Sequence, residues 1–549
     1  MSEKNCNLCY VRQITTPIRS PKSVYDLPSY DNGVTKPPMG WSSWNCFRNN
    51  IDENKIISIG EALIKTGLKD KGFVNLNLDD NWHSSMRDEN GELQGDLERF
   101  PNGIPNLIAY LNSKGLKVGL YTSNGTLTCE DLPGSFGNEE RDSYTFAKWG
   151  AEFFKYDFCH HKPFTPVAPL VAAVGLINKD NKKDQITLTV DQAVLGGNAK
   201  LVKDERMPGG YHVKGLNKNK GIVIFESVKA SEGEYVMTIT TRKRGKQYDK
   251  FLAVEVNNDV QIVTIPGCAK FNHTARVQCN VKLTEGDNII KLYNPITSVT
   301  DGYVIQYRTM GKLLKQATER VAKETQKEEK PITYSICEWG RNRPWQWGRT
   351  AGNQWRTTPD IRPWWLWMMM IYDFTVKLYK YSEKGHYNDP DMLEVGNGKL
   401  TYDQNKSHFN LWCMMNAPLI LGNDLRKFIK EDGTVDNDNV VLKIVTNEKM
   451  IAINQDDEGK ACKRVKHGCH VDVLAKPLAK GTAVCIFNRS PFKKKVKYDL
   501  RKLIGDEYVL FSDKDEYSVE DCWSDDKFVT RGELSVDLPP YGSVVYVIK

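Results

Sequence analysis

The chain has 549 residues, with 76 basic against 69 acidic side chains, 40% hydrophobic and 26% charged residues. That length exceeds one ordinary domain and predicts two to four folding units. The net charge of +7 is small and dispersed, which argues against a nucleic-acid surface. The short lysine run from Lys493 to Lys497 lies in an alternating, strand-like stretch and reads as a solvated strand face.

The first residues, MSEKNCNLCYVRQ, hold neither an apolar core nor a small-residue cleavage pattern, so no secretory signal is expected. The longest apolar run, Trp364 to Tyr372, is too short to span a bilayer. Thirteen scattered cysteines fit reduced thiols better than a disulfide scaffold. Together these predict a soluble, cytoplasmic protein. Residues 1–36 read as an irregular lead-in, and Cys6 and Cys9 form a lone CxxC with no second pair for a zinc site.

From Pro37 a βα rhythm begins. A strand leads to Trp41–Asn45, followed by a helix near 54–67 and the strand Phe73–Leu78. A helix near 104–114 precedes the strand Leu116–Tyr121, and a helix near 142–149 precedes Glu152–Asp157. Alternating strands and helices imply βαβ units and a parallel sheet. Residues 165–308 break the rhythm with short alternating strands and Gly or Asn turns, and contain no tryptophan. An inserted β-sandwich is expected there. A helical period over 309–327 and the strand Ile332–Cys337 resume the barrel pattern to about 452, and 453–549 read as an antiparallel β-domain. The fold class is therefore α/β. A (β/α)8 TIM barrel over 37–164 and 309–452 carries the inserted sandwich and a C-terminal antiparallel β-domain.

Aspartates stand at the strand ends: Asp79 and Asp80, Asp157, and Asp391 in Asn388-Asp-Pro-Asp-Met392. In such a barrel those ends form the active face. Converging carboxylates suit glycoside hydrolysis, where one attacks and another delivers a proton. A strand-end aspartate can equally cap a helix or bind metal. Trp44 and Trp339, beside polar residues at strand ends, are candidate sugar platforms. Trp364, Trp365 and Trp367 in a helical run read as packing, and His160-His161 as pocket rim. Cys462, His467, Cys469 and His470 fall in a strand pattern that points them to opposite faces, so no metal is expected.

Six motifs in order resemble glycoside hydrolase family 27: Pro37-Pro-Met-Gly-Trp-Ser-Ser-Trp44, Leu78-Asp-Asp-Asn-Trp82, Lys155-Tyr-Asp-Phe-Cys159, Cys337-Glu-Trp-Gly340, Trp355-Arg-Thr-Thr-Pro-Asp360 and Asn388-Asp-Pro-Asp-Met-Leu393. The resemblance implies a retaining α-galactosidase that needs no cofactor and acts on galactosides, with Asp157 as nucleophile and Asp360 as acid/base. It places Asp79 and Asp80 on the 4- and 6-hydroxyls, Trp44 beneath the C6 side and Lys155 on the ring hydroxyls. Lys155 is also expected to keep Asp157 ionised. Tyr121, Arg356, Asp391 and Met392 match other pocket positions, and Cys337 and Trp339 those near the 2-hydroxyl. Cys129 and Cys159 match a pair bridged beside the pocket, a bridge that a reducing compartment could open. A second family bridge would join Cys337 to the position of Gly352 and cannot form here. Tyr387 replaces the tryptophan that usually precedes Asn-Asp-Pro-Asp.

The insert resembles carbohydrate-binding modules of families 6 and 35, through Asp191-Gln-Ala, Gly209-Gly-Tyr-His-Val-Lys-Gly215 and Asn288-Ile-Ile-Lys-Leu-Tyr-Asn-Pro295. Without tryptophan it would stack sugars on Tyr211 or Tyr293. A structural or homo-oligomerisation role is the stronger expectation. The alternatives to α-galactosidase are an α-N-acetylgalactosaminidase or β-L-arabinopyranosidase of the same family, and a non-catalytic sugar-binding protein.

Overall fold

A computed structural model describes residues 13, 18–21, 27–162, 164–243, 250–265 and 273–549. The Cys6–Cys9 pair lies outside them. Two compact units divide the described residues: Leu27–His161 with Met310–Lys549, and Lys162–Thr309; Gln13 and Ile18 belong to the first and residues 19–21 to the second.

The first unit contains eight short parallel strands: β1 (Met39–Ser42), β2 (Asn75–Asn77), β3 (Lys117–Ser123), β4 (Phe153–Asp157), β5 (Thr333–Cys337), β6 (Gln354–Arg356), β7 (Tyr387–Asp389) and β8 (Leu419–Leu421). They run in the order β7-β6-β5-β4-β3-β2-β1-β8. A parallel bridge between Leu393 and Leu421 joins the two ends and closes the barrel. The strands are buried on both faces, and helices cover the outside, as a parallel sheet requires. Helix Glu53–Lys65 shows how the sequence builds that shell. Asp52 accepts the Lys55 N–H at its start, and Ile56, Ile59, Ala62 and Leu63 form one buried stripe. Inside the barrel space is short: a Cβ on Gly119 would lie 2.1 Å from Asn77 Oδ1.

Residues beyond about 460 form a six-stranded antiparallel sheet over a two-stranded one, closed on a core that includes Val473, Ile486, Tyr498 and Leu534. This is the expected C-terminal β-domain. Lys495 and Lys497 point to solvent from the strand Lys494–Asp499 while Val496 points inward, as the alternation predicts. Of Cys462, His467, Cys469 and His470 only His467 lies in a strand, Lys463–His467, where it pairs with Asp472 at 2.8 Å; Cys462 is buried ahead of it and Cys469 and His470 sit exposed in the bend that follows, so the expected strand alternation does not hold. No helix among the described residues is long and apolar enough to cross a membrane.

The second unit is a β-sandwich. One sheet holds five strands and the other six, every ladder antiparallel. Val174, Leu176, Val223, Met237, Ile239, Leu252 and Leu292 fill the space between.

Two expectations need correction. The helix expected over 309–327 spans Val299–Thr325 and starts ten residues early. A cap sets the start: Ser298 Oγ accepts the Asp301 N–H, and Thr297 and Ser298 hydroxyls donate to the Asp301 carboxylate. Among the tryptophans read as packing, Trp365 is buried, whereas Trp364 is 63% exposed just ahead of helix Trp365–Thr375. Trp367 donates its indole N–H to the Asp360 carbonyl at 2.9 Å.

Candidate active site

Strand register brings the candidate residues to one level. Asp157, at the end of β4, sits beside Ser123 of β3 and Cys337 of β5. Two residues earlier, Lys155 sits beside Tyr121 and Ser335. Arg356, ending β6, lies beside Asp389 of β7. Asp79, Asp80, Trp339, Asp360, Asp391 and Met392 follow the C-terminal ends of their strands, and Trp44 follows β1.

Lys155 and Arg356 organise the carboxylates. Lys155 Nζ donates to Asp79 Oδ2 at 2.8 Å and lies 3.9 Å from Asp157 Oδ2, above the Tyr121 ring. Arg356 Nη2 contacts Asp360 Oδ1 at 3.0 Å and Asp391 Oδ2 at 2.8 Å, while Nη1 reaches Cys337 Sγ at 3.7 Å. Asp391 also accepts the Ile361 N–H at 2.7 Å. It therefore fixes the chain on which Asp360 sits.

The two central carboxylates differ in charge environment. Burial, opposed by Lys155 and aided by Asp360 and Asp79, pushes Asp157 up to about 6. Lys155 thus favours the ionised form, as expected, but does not overcome burial. Burial would raise Asp360 too; there Arg356, Lys155 and a hydrogen bond from Gln13 prevail and hold its carboxyl below the usual range. Asp80 is pushed up to about 7, chiefly by burial, against hydrogen bonds from Thr128 and the Asn81 and Glu130 amides.

The surrounding wall is rigid. Trp339 is 7% exposed, meets Phe158 edge-on at 6.0 Å and adopts a left-handed backbone at φ 55°. Gly340 continues that turn at φ 78°, and a Cβ there would lie 2.2 Å from the Thr357 carbonyl, so only glycine fits. Asp391 is held at φ 81°, with its N–H donated to Asp389 Oδ1 at 2.8 Å. Trp44 is half-buried, with the Arg48 guanidinium 5.6 Å from its ring. His161 stacks on Phe158 at 4.0 Å, and His160 pairs with Asp131 at 3.0 Å.

Cys129 and Cys159 are disulfide-bonded, and Cys337 is free and buried. Gly352 offers Cys337 no thiol for a disulfide, and a Cβ there would meet Tyr334 at 2.7 Å. Tyr387 is a structural substitute: its hydroxyl accepts the Gly385 N–H and donates to the Thr35 carbonyl. Sequence reasoning missed two neighbours. Asp389, pushed up to about 6 mainly by burial, accepts from Gln354 Nε2 at 3.2 Å; the motif that contains Asp391 could have revealed it. Gln13 touches Asp360 and had no signal at all.

A closed parallel barrel with carboxylates gathered around a lysine and an arginine at its C-terminal face defines the frame of a glycoside hydrolase. The Alpha galactosidase A family model matches residues 36–170 and 300–456, more than half of the chain, and the Alpha galactosidase C-terminal beta sandwich domain matches 468–548. The chain belongs to this family. It is 27% identical over 526 residues to Alpha-galactosidase A of Cellvibrio japonicus, covering 93% of this chain and 91% of that one. The Alpha-galactosidase of Cyamopsis tetragonoloba is 28% identical over 531 residues, covering 95% and 89%. Alpha-galactosidase I from Mortierella vinacea shares the fold, with a TM-score of 0.63 at 22% identity over 94% of this chain and 98% of that one.

Proposed function

We propose that this protein is a retaining α-galactosidase that releases terminal α-D-galactosyl residues by double displacement. The observation that carries the reading is the pairing of Lys155 with Asp79 and Asp157 opposite the pairing of Arg356 with Asp360 and Asp391. Asp157 attacks the anomeric carbon while Asp360 protonates the leaving oxygen. Asp360 then activates water to release the sugar. Asp79, held by Lys155, and the buried Asp80 accept the sugar's 4- and 6-hydroxyls, with Trp44 beneath C6. Trp339 and Cys337 crowd the 2-position.

That crowding favours galactose over its 2-acetamido analogue. Aryl α-galactoside is expected to be cleaved at least about tenfold faster, in kcat/KM, than aryl α-N-acetylgalactosaminide, a difference of only ~1.4 kcal/mol. Equal rates on the two would defeat the assignment.

The protonation of Asp157 gives a second test. An activated dinitrophenyl α-galactoside needs no proton from Asp360, so its kcat/KM is free of the Asp360 titration and follows the nucleophile. A nucleophile held at about 6 must lose its proton to react, so the rate falls as pH drops through 6. Lys155→Met removes the cation that favours the carboxylate. The acid limb should then move up by about one pH unit. An unmoved limb would mean that Lys155 does not govern Asp157.

For the inserted sandwich an assembly role is proposed ahead of sugar capture. A depression of about 500 Å³ in its five-stranded sheet offers one aromatic ring, Tyr293, among glycines and Ile222 and Ile224. The polar groups beside that ring are already engaged: Lys291 and the Tyr293 hydroxyl both bind Glu255.

A further inference from the structure

Gln13 lies 347 positions before Asp360 in the chain, yet two hydrogen bonds join them. Its Nε2 donates to Asp360 Oδ2 at 2.9 Å, and the Asp360 main-chain N–H donates to its Oε1 at 3.0 Å. Gln13 is 3% exposed. The other carboxylate oxygen, Oδ1, accepts from Arg356 Nη2 at 3.0 Å. Both oxygens of the acid/base are therefore engaged before any substrate arrives. Oδ1 faces a permanent cation, so a proton bound for a leaving group has to ride on Oδ2. Oδ2 is the oxygen to which the Gln13 amide is attached.

We propose that the Gln13 carboxamide stands where the leaving group must go, so that an incoming aglycone displaces it and Gln13 becomes a determinant of aglycone choice. This rests on Asp360 being the acid/base. A sugar aglycone can replace both bonds. Its glycosidic oxygen takes the proton from Oδ2 as the bond to the anomeric carbon breaks, and a neighbouring hydroxyl accepts the Asp360 N–H that Oε1 gives up. A plain aryl aglycone supplies no such acceptor and leaves that N–H unpaired, which is costly in a closed site. Gln13 therefore selects hydroxylated, sugar-like aglycones over aryl groups. The electrostatics agree: the amide helps to hold Asp360 ionised, and its departure eases the protonation that the first step needs.

The test compares kcat/KM on a galactosyl disaccharide and on 4-nitrophenyl α-galactoside, for the full-length enzyme and its Gln13→Ala variant. With no amide to displace, the aryl substrate should gain about fivefold, and the disaccharide less than half of that, so the preference for the sugar aglycone narrows. An unchanged preference, or equal losses on both substrates, would overturn the assignment and leave Gln13 a packing residue. Gln13→Glu is the second variant. A carboxylate against Asp360 raises its affinity for protons, so the pH profile on the disaccharide should move upward while the acid limb on a dinitrophenyl galactoside, set by Asp157, stays. A fixed disaccharide profile would also refute it. An unsubstituted protein inactive on both substrates removes the α-galactosidase reading and this inference with it; an active enzyme with an unaltered preference removes only the role of Gln13.

Discussion

Asp157→Asn is expected to abolish turnover of every α-galactoside, with kcat/KM falling by roughly 10⁴-fold or more. A neutral amide cannot form the glycosyl ester, so no choice of leaving group can restore the reaction. The fold should survive. The asparagine oxygen can keep the Phe158 N–H that Asp157 Oδ1 accepts at 2.7 Å, and Lys155 retains its 2.8 Å bond to Asp79. Because burial raises the Asp157 carboxyl in the folded state, its ionised form opposes folding at neutral pH. That cost is absent below the unfolded carboxylate range and grows as pH rises to 6. Removing the charge should leave Tm at pH 7 unchanged or higher. Steady-state kinetics with a melting curve checks both halves. A variant that stays folded and keeps a tenth of wild-type activity would rule out Asp157 as nucleophile.

Much of this site was legible because it is local to strand ends. The apolar strands before Asp79 and Asp157 announce parallel elements, and a parallel barrel then dictates where their last residues converge. The sandwich was legible by its alternation and its lack of tryptophan. What stayed hidden depends on long-range geometry. Gln13 meets Asp360 across 347 positions, and no periodicity marks a single glutamine in an irregular stretch. The charge states were equally hidden. Lys155 two residues before Asp157 suggests a depressed carboxyl, but burial prevails, whereas Asp360 is lowered by the Arg356 four residues before it. Trp364 misled because a run of apolar residues does not say which one lies outside the helix stripe. The start at Val299 was missed because serine and threonine serve turns and helix caps alike.

Asp360→Ala is expected to separate substrates by their leaving groups. Loss of a general acid typically costs 10²–10⁴-fold where protonation is needed. A galactosyl disaccharide expels a poorly stabilised alkoxide and should lose kcat/KM by about that much. A dinitrophenyl α-galactoside expels a stable phenolate and should lose less than about tenfold in kcat/KM, which reports only the steps through glycosyl-enzyme formation. Its kcat should nevertheless fall, because release of the glycosyl-enzyme needs Asp360 as base, and the intermediate should accumulate as a burst of phenolate. A small anionic nucleophile such as azide needs no base, so it should restore kcat and yield a galactosyl azide of retained α configuration. The substitution also frees Arg356 from one carboxylate while its 2.8 Å pair with Asp391 remains, so the guanidinium stays compensated and in place. Equal losses on both substrates, with no burst and no rescue by azide, would exclude Asp360 from the acid/base role and leave it only the part of a partner that orients Arg356.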